Sequence, residues 1–214
     1  VRALCTNEKI VLIFDEVISG LRMAPGCAQA YYGVTPDLAT FAKAIGGGFS
    51  IAALCGRKDV MQVLNPTGKT IMSGTYTGAL MPVLASIECM KMAMEPDFYD
   101  AVNEKADALY GGMNQLMKQY GIPGHVHGVG ARFGIYFGVE DPENDYDWRK
   151  VGDSYRQDLT RSFLTKSLER GLFMHDCGAV SPAHYGFSTQ HTMEDVNITL
   201  NRMDDIFKTM KSEL

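Results

Sequence analysis

No apolar run in this sequence approaches about 18 residues, the length that a membrane-spanning helix requires, so we expect no transmembrane segment. Its cysteines are scattered, and no two of them form a Cys-x-x-Cys pair, so their spacing indicates neither a zinc site nor a disulfide framework. We expect reduced thiols and a cytoplasmic location. The five cysteines are Cys5, Cys27, Cys55, Cys89 and Cys177.

Basic residues are in the minority, with 20 Lys and Arg against 25 Asp and Glu, which gives a net charge of −5. This balance argues against a nucleic-acid surface as the main partner, and we expect a small-molecule substrate instead. The length of 214 residues suits one large domain or two modest ones. The apolar share of 46% is ordinary for a globular protein.

A continuous apolar and β-branched run from Val11 to Phe14 predicts a fully buried strand. Asp15 follows directly, at the end of the strand where open α/β sheets bind ligands. Because burying an unpaired carboxylate is costly, Asp15 needs a partner. Two interpretations remain open: a structural one, in which Asp15 caps the next helix or pairs with Arg22, and a functional one, in which a ligand supplies the cation.

Lys43 follows a second predicted strand, Leu38 to Ala42, and precedes the glycines at positions 46–48. These glycines would allow the backbone to approach another group closely and leave the lysine little side-chain cover. A lysine in an apolar pocket has its charge disfavoured, so its amine can act as a nucleophile toward carbonyl groups. Lys43 and Asp15 are therefore the candidate functional pair.

Three segments carry a resemblance to a known family: VLIFDEVISGLR, AQAYYGVTPDLATFAKAIGGGFSIAALCGRKDVM and SGTYTG. In this order and spacing they resemble the class III aminotransferase branch of the fold-type I pyridoxal-phosphate enzymes. Within that branch they are most similar to glutamate-1-semialdehyde aminomutase-like proteins. The resemblance implies pyridoxal 5'-phosphate as cofactor and an α/β fold.

The resemblance also implies a role for each matching residue. Lys43 would form the Schiff base with the cofactor and later shuttle the proton, while Asp15 would pair with the pyridinium nitrogen. Val17 would pack on one face of the ring. Gly74 and Thr75 would bind the cofactor phosphate of the neighbouring subunit's site, so a homodimer is expected. No metal ligand is expected.

The similarity implies two domains. Residues 1–96 would form part of the cofactor-binding large domain, and residues 97–214 a small C-terminal α+β domain. Relatives carry further chain ahead of this point, so we expect the sequence to represent the C-terminal half of the fold. Because that preceding segment would supply most phosphate contacts, we predict that residues 1–214 alone bind the cofactor poorly.

Hydrophobic periodicity and turn residues predict most of the other elements. A capping box at Thr192 to Asp195 predicts the start of the last helix. Residues 67–79 are expected to form a loop, and the acidic run 140–147 another. Helices are predicted over 28–32, 57–64, 80–94, 102–120 and 155–170, and strands over 51–55, 133–139 and 172–174.

Two rival patterns are weaker. The run VLIFDE also resembles a Walker B strand, but a matching Walker A loop ending at Thr70 would require glycine where Val63 stands. His125 and His127 would face the same way on a strand, but no third metal ligand is evident nearby, which favours a structural role. Neither pattern displaces the pyridoxal-phosphate interpretation.

The reaction itself stays open. Segment 175–191 contains no arginine, which agrees with the aminomutase-like branch. However, Ala183-His184 stands where the aminomutase carries a glutamate nearby, and Ala79-Leu80 stands where the family usually has Asn-Pro. These departures favour an aminotransferase of unknown substrate. A non-catalytic fragment, or one half of a split enzyme, is the third alternative.

Overall fold

The computed structural model describes residues 1–139, 147–175 and 184–212. The chain divides into two compact units, Val1–Tyr99 and Asp100–Leu214, where the sequence predicted a boundary near Glu95-Pro96. That the first unit belongs to a cofactor-binding large domain stays a prediction. In the described part of the chain, no helix combines the length and apolar composition needed to cross a bilayer.

The first unit is built around a small mixed sheet. Strands β1 and β2 are parallel neighbours, and β3 pairs antiparallel with β2, so the described sheet has the order β1-β2-β3. A 3₁₀ turn begins at Lys43, which therefore lies between two strands, as the sequence predicts. The elements of this unit are α1 Arg2–Asn7, β1 Ile13–Glu16, α2 Cys27–Tyr31, β2 Leu38–Phe41, the 3₁₀ turn Lys43–Gly46, β3 Ala53–Gly56, α3 Lys58–Met61 and α4 Leu80–Ala93.

The prediction of a fully buried first strand is wrong. β1 begins at Ile13 and continues through Asp15 to Glu16. Within the apolar run, the side chains of Val11 and Ile13 are 49% and 56% exposed. β1 lies at the edge of the described sheet and pairs on one side only. A continuous apolar run indicates strand formation, but it does not tell which faces the chain itself covers.

The helix predicted over 57–64 is shorter than expected and ends at Met61. The residues after it fold back instead: the Asn65 amide donates to the Thr70 carbonyl at 2.9 Å, and the Thr70 amide donates to the Val63 carbonyl at 3.0 Å. These bonds compete with continuation of the helix. The loop that follows leads into α4, whose bounds agree with the prediction.

The second unit packs four helices with a short antiparallel sheet of order β4-β5-β6. Together the two units form the mixed α/β fold that the sequence predicts. The described elements are α5 Phe98–Tyr120, which begins in the last residues of the first unit, β4 Gly124–Val129, β5 Arg132–Phe137, α6 Trp148–Ser154, α7 Gln157–Glu169, β6 His184–Gly186 and α8 Met193–Lys211.

Three phenylalanines form the centre of the second unit. Phe163 of α7 lies between Phe137 of β5 and Phe207 of α8, with ring centroids 5.5 and 6.0 Å away, and all three are fully buried. Asn114 of α5 ties that helix to β4, because its side chain both accepts from the Val126 amide and donates to the Val126 carbonyl. This core holds the unit together without any help from the candidate site residues.

Several predictions for the second unit need correction. The predicted strand 172–174 is irregular: the Leu172 amide donates back to the Ser167 carbonyl at the end of α7, and Phe173 is 83% exposed. β6 was missed because it is only three residues long. Helix α7 begins at Gln157, after a separate α6. The capping box at Thr192 is confirmed, and residues 140–146 of the acidic run lie outside the described residues.

Candidate functional site

The carboxyl ends of β1 and β2 meet at one edge of the sheet in the first unit. The two strands are parallel, and Asp15 of β1 pairs in register with Thr40 of β2. Lys43 comes just after β2, beyond Phe41 and the extended residue Ala42. The structure therefore brings Asp15 and Lys43 to the same edge of the sheet, where ligands bind in open α/β folds.

The Asp15 carboxylate uses one of its two oxygens. Oδ1 accepts a hydrogen bond from the Val17 amide at 3.0 Å and another from the Thr40 hydroxyl at 3.3 Å. Both donors are uncharged, so these bonds differ from the ion pair with Arg22 that the structural interpretation of the sequence allowed. Within the described residues Oδ2 accepts no hydrogen bond, and the side chain is exposed. One acceptor oxygen is thus available at the strand end.

Lys43 is the first residue of the 3₁₀ turn and has φ +51°, a left-handed conformation that is uncommon for residues other than glycine. Its side chain is exposed, and in the described part of the chain its Nζ makes no hydrogen bond or ion pair. The apolar pocket predicted around this lysine is therefore not formed by the described residues. The amine is accessible instead.

Two of the glycines after Lys43 allow close packing. A Cβ on Gly46 would lie 2.8 Å from Ile51 Cγ2, and a Cβ on Gly47 would lie 2.5 Å from Cys89 Sγ of α4. Gly47 also has φ +57°. The groups that the glycine backbone approaches are thus side chains of the protein itself, Ile51 and Cys89. The contact with Cys89 packs the Lys43 turn against α4.

Glu16 is the buried counterpart of Asp15 and was missed by the sequence analysis. It is 1% exposed, and its carboxylate accepts from the Ser19 hydroxyl at 2.8 Å and from the amides of Ala28 and Gln29 at 2.8 and 3.1 Å. The two amides belong to the first turn of α2, so Glu16 satisfies otherwise unpaired donors of that helix. Because successive side chains of a strand alternate in direction, an acidic pair could have signalled one buried and one open carboxylate.

Cys27 begins α2 beside this carboxylate. Burial raises the pKa of the Cys27 thiol, an amide hydrogen bond from Leu21 opposes the rise, and the nearby Glu16 charge adds to it. A thiol with a raised pKa is a poor nucleophile. Cys27 is therefore a packing residue of this region and not a reactive centre.

Gly74 and Thr75 lie in a different place, along an open cleft of about 620 Å³ in the first unit. Segment 50–52, which precedes β3, and the start of α4 form the other walls. None of Asp15, Val17 and Lys43 lines this cleft. The predicted site residues thus fall into two groups. The lining residues are Ser50, Ile51, Ala52, Met72, Gly74, Thr75, Tyr76, Thr77, Gly78, Ala79, Pro82 and Val83.

His125, one of the two histidines weighed as metal ligands, makes structural contacts. His125 Nδ1 lies 2.8 Å from the Val139 carbonyl, and its ring stacks on Tyr136 with a centroid distance of 5.0 Å. No group of three or more potential metal ligands is found among the residues that the structure describes.

Thr40, whose hydroxyl donates to Asp15, was not identified from the sequence. Its proximity to Asp15 follows only from the pairing of β1 with β2.

Comparison with known families decides the affiliation. The model of the family described as aminotransferase class-III matches residues 1–207. The chain belongs to this family. The match covers both units of this class III chain, so the resemblance carried by the three segments between residues 11 and 78 extends over nearly its whole length.

Solved structures agree with this assignment. An ω-transaminase from Sphaerobacter thermophilus is 28% identical and superposes with a TM-score of 0.81 over 97% of this chain and 46% of its own. A β-phenylalanine aminotransferase from Variovorax paradoxus, 24% identical, gives 0.82 over 99% and 47%. An ornithine δ-aminotransferase from Plasmodium falciparum, 21% identical, gives 0.75 over 100% and 51%. The chain spans about half the length of these structures, and the two with lower identity show the fold alone.

Proposed function

We propose that this class III chain takes part in pyridoxal-phosphate-dependent transfer of amino groups between small amino and keto compounds, with Lys43 as the residue that bonds the cofactor. The observation that carries the proposal is the arrangement at the sheet edge. There an exposed lysine without a hydrogen-bond partner among the described residues follows β2. A carboxylate with one unused oxygen lies at the same edge, near the end of β1.

The donor set fits the cofactor. A pyridinium N–H needs a carboxylate acceptor, and Asp15 Oδ2 is available for it; an aldehyde needs an accessible amine, which Lys43 supplies. A transaminase of similar fold has been solved with pyridoxal phosphate bound. When bound, the cofactor supplies an electron sink for the charge left by proton removal.

The residues of this chain would then divide the work. Lys43 would bond the cofactor covalently, and its Nζ would move a proton to and from the substrate carbon. Asp15 keeps the ring nitrogen protonated by accepting its N–H. Val17 is half-buried and follows β1 directly, and its amide donates to the Asp15 carboxylate. Its side chain would pack on one face of the ring.

Gly74 and Thr75 would bind the cofactor phosphate of a second copy, so the working form is a homodimer. The separate cleft supports this proposal, because it contains none of the residues that would hold the ring. Exposed apolar side chains on α4 and its C-terminal cap support it as well, since patches of this kind mark interaction surfaces. These side chains are Leu80, Met81, Leu84, Ile87, Met90, Met92 and Met94.

Covalent labelling tests the proposal. Because residues 1–214 alone are predicted to bind the cofactor poorly, pyridoxal phosphate is added in large excess to the purified chain. The adduct is then reduced with borohydride, and the labelled peptide is located by mass spectrometry. We expect label on the Lys43 peptide, loss of it in Lys43→Ala, and no change in the control Lys58→Ala, an exposed lysine of the same unit. Equal labelling of wild type and Lys43→Ala would show that the wrong lysine has been chosen.

Intramolecular amino transfer, as in glutamate-1-semialdehyde aminomutase, is the second candidate. The absence of arginine from segment 175–191 favours it, because many class III aminotransferases bind a substrate carboxylate with an arginine of this domain. Formation of 5-aminolevulinate from the semialdehyde without an added keto acid would identify the mutase. Amino transfer that requires two substrates would identify the transaminase.

The third alternative, a fragment without catalysis of its own, predicts a protein that acquires no cofactor absorbance. If labelling appears only after the preceding half of the fold is added as a separate chain, the split-enzyme interpretation is correct. The cytoplasmic location stays a prediction, supported by the free thiols of Cys5, Cys27, Cys55 and Cys89.

A further inference from the structure

We propose that Thr40 is a positioning residue for the amino-transfer reaction. Its hydroxyl holds Oδ1 of Asp15, so that Oδ2 is the oxygen left to accept the N–H of the cofactor ring. The inference rests on the proposed function, since it assigns a role to Thr40 only if Asp15 meets the ring nitrogen.

The strand register places the two side chains together. Asp15 and Thr40 are paired residues of parallel strands, so they stand side by side on one face, about 5 Å apart at the backbone. On the other side of Thr40, its partner in β3 is Leu54, which offers no polar group. Among these cross-strand neighbours, Asp15 is therefore the one acceptor for the Thr40 hydroxyl, and the observed bond is 3.3 Å.

The Thr40 bond does something that the Val17 bond does not. The Val17 amide lies two residues from Asp15 on the same segment, so it stays with the carboxylate if β1 shifts. Thr40 belongs to β2, the strand that leads into the Lys43 turn. Its hydroxyl thus fixes the Asp15 carboxylate relative to the strand that delivers the amine, and two donors on one oxygen oppose rotation that would exchange Oδ1 with Oδ2.

Two substitutions separate the hydroxyl from the shape of the side chain. Thr40→Val keeps the β-branched form that suits a strand but removes the donor, whereas Thr40→Ser keeps the donor and loses a methyl group. We expect Thr40→Val to weaken pyridoxal-phosphate binding about three- to tenfold, the effect of one net hydrogen bond. Thr40→Ser should bind nearly as wild type does.

The decisive measurement is the protonation of the ring nitrogen itself. Pyridoxal phosphate labelled with ¹⁵N in the ring is added to each protein at one fixed pH, and the nitrogen chemical shift is read by NMR. Wild type and Thr40→Ser should show the protonated nitrogen, and Thr40→Val a shift toward the unprotonated form. Free cofactor is removed before the measurement, so that the observed nitrogen signal comes from bound cofactor. A role in folding alone would then not move this signal.

Each outcome decides something. If Thr40→Val gives the wild-type shift and affinity, Thr40 has no positioning role, while labelling of Lys43 in the same samples keeps the proposed function intact. If both Thr40 variants lose the protonated signal, the hydroxyl is not the group that matters and the inference fails. If wild type forms no borohydride-reducible bond at Lys43 even when the preceding half of the fold is added as a separate chain, the proposed function fails and this inference fails with it.

Discussion

Asp37 and Asp15 stand near opposite ends of the same two strands, and their surroundings differ. Asp37 precedes β2 and is 4% exposed. It accepts from the Leu12 amide at 2.7 Å, from Arg2 at 2.9 Å and from Arg57 at 2.6 Å. Asp15 is the penultimate residue of β1, is exposed, and has partners on one oxygen only. The Asp37 carboxylate is saturated, whereas the Asp15 carboxylate is half used.

This difference separates stability from function. Asp37 joins α1, the start of β1 and the end of β3 through donors that belong to the protein, so its charge is compensated inside the fold. Asp15 has room for a donor that the described residues do not supply. Saturation of a carboxylate, more than its position after an apolar run, thus indicates which of the two acids is committed to the fold and which has an oxygen available for a ligand.

The largest effect should come from Asp15→Asn. This variant retains shape but loses the charge that keeps the ring nitrogen protonated, so amino transfer should fall at least about a hundredfold. Since the side chain is exposed, the melting temperature of the cofactor-free protein should change little. Steady-state kinetics and thermal melts measure the two effects, and an unchanged rate would contradict the assignment of Asp15.

Asp37→Asn should show the reverse pattern. It leaves Arg2 and Arg57 without the compensating charge, so the melting temperature of the cofactor-free protein should fall clearly. The matched control is Asp59→Asn, because Asp59 also pairs with Arg57 but is exposed, and its loss should have little effect. Equal melting temperatures for the Asp37 and Asp59 variants would remove the contrast between the two ends of the sheet.

Gly47→Ala tests how firmly the functional end is packed. Gly33 has a similar φ of +64° but open space around its missing Cβ, so Gly33→Ala measures the backbone cost alone, about 1–2 kcal/mol. Gly47→Ala adds a clash with Cys89 and should destabilise the protein more than Gly33→Ala does. Chemical denaturation compares the two variants, and equal losses of stability would mean that α4 yields easily.

The smallest effect concerns pH. The Leu12 amide, followed by the Arg2 guanidinium, holds the pKa of the Asp37 carboxyl below its usual value of about 4. Its contribution to stability is therefore complete above that pH and is lost as pH falls through the lower pKa of the folded protein. The difference in melting temperature between wild type and Asp37→Asn should be constant near neutral pH and narrow below about pH 4. A difference that persists in strong acid would exclude this linkage.

Local patterns in the sequence were sufficient for much of the fold. Apolar runs and turn residues located the strands around Lys43 and helices α4, α5 and α8, because these elements follow from periodicity and capping. The predicted burial of Val11 and Ile13 was wrong, because a run of apolar residues does not tell how many faces of the strand the chain itself covers. The short strand β6 was not predicted for a related reason. Its three residues are too few to show a periodic pattern, and pairing with β5 determines their conformation.

The candidate site was predictable only in part. Asp15 and Lys43 could be identified because each carries unusual chemistry at a strand end. Thr40 could not, because a hydroxyl on a strand shows nothing unusual until strand pairing places it. Glu16 had one signal, its position next to Asp15 on a strand, where successive side chains alternate in direction. The contribution of Thr40 depends on the register between β1 and β2, which no local pattern determines.

The packing of Ile51 has a mechanical consequence. This side chain lines the cleft that holds Thr75, and it also meets the backbone of Gly46 in the turn that begins with Lys43. Closely packed interiors transmit displacement instead of absorbing it. A ligand that fills the cleft and displaces Ile51 would therefore shift the turn that begins with Lys43. Movement of that turn would in the same way alter the shape of the cleft.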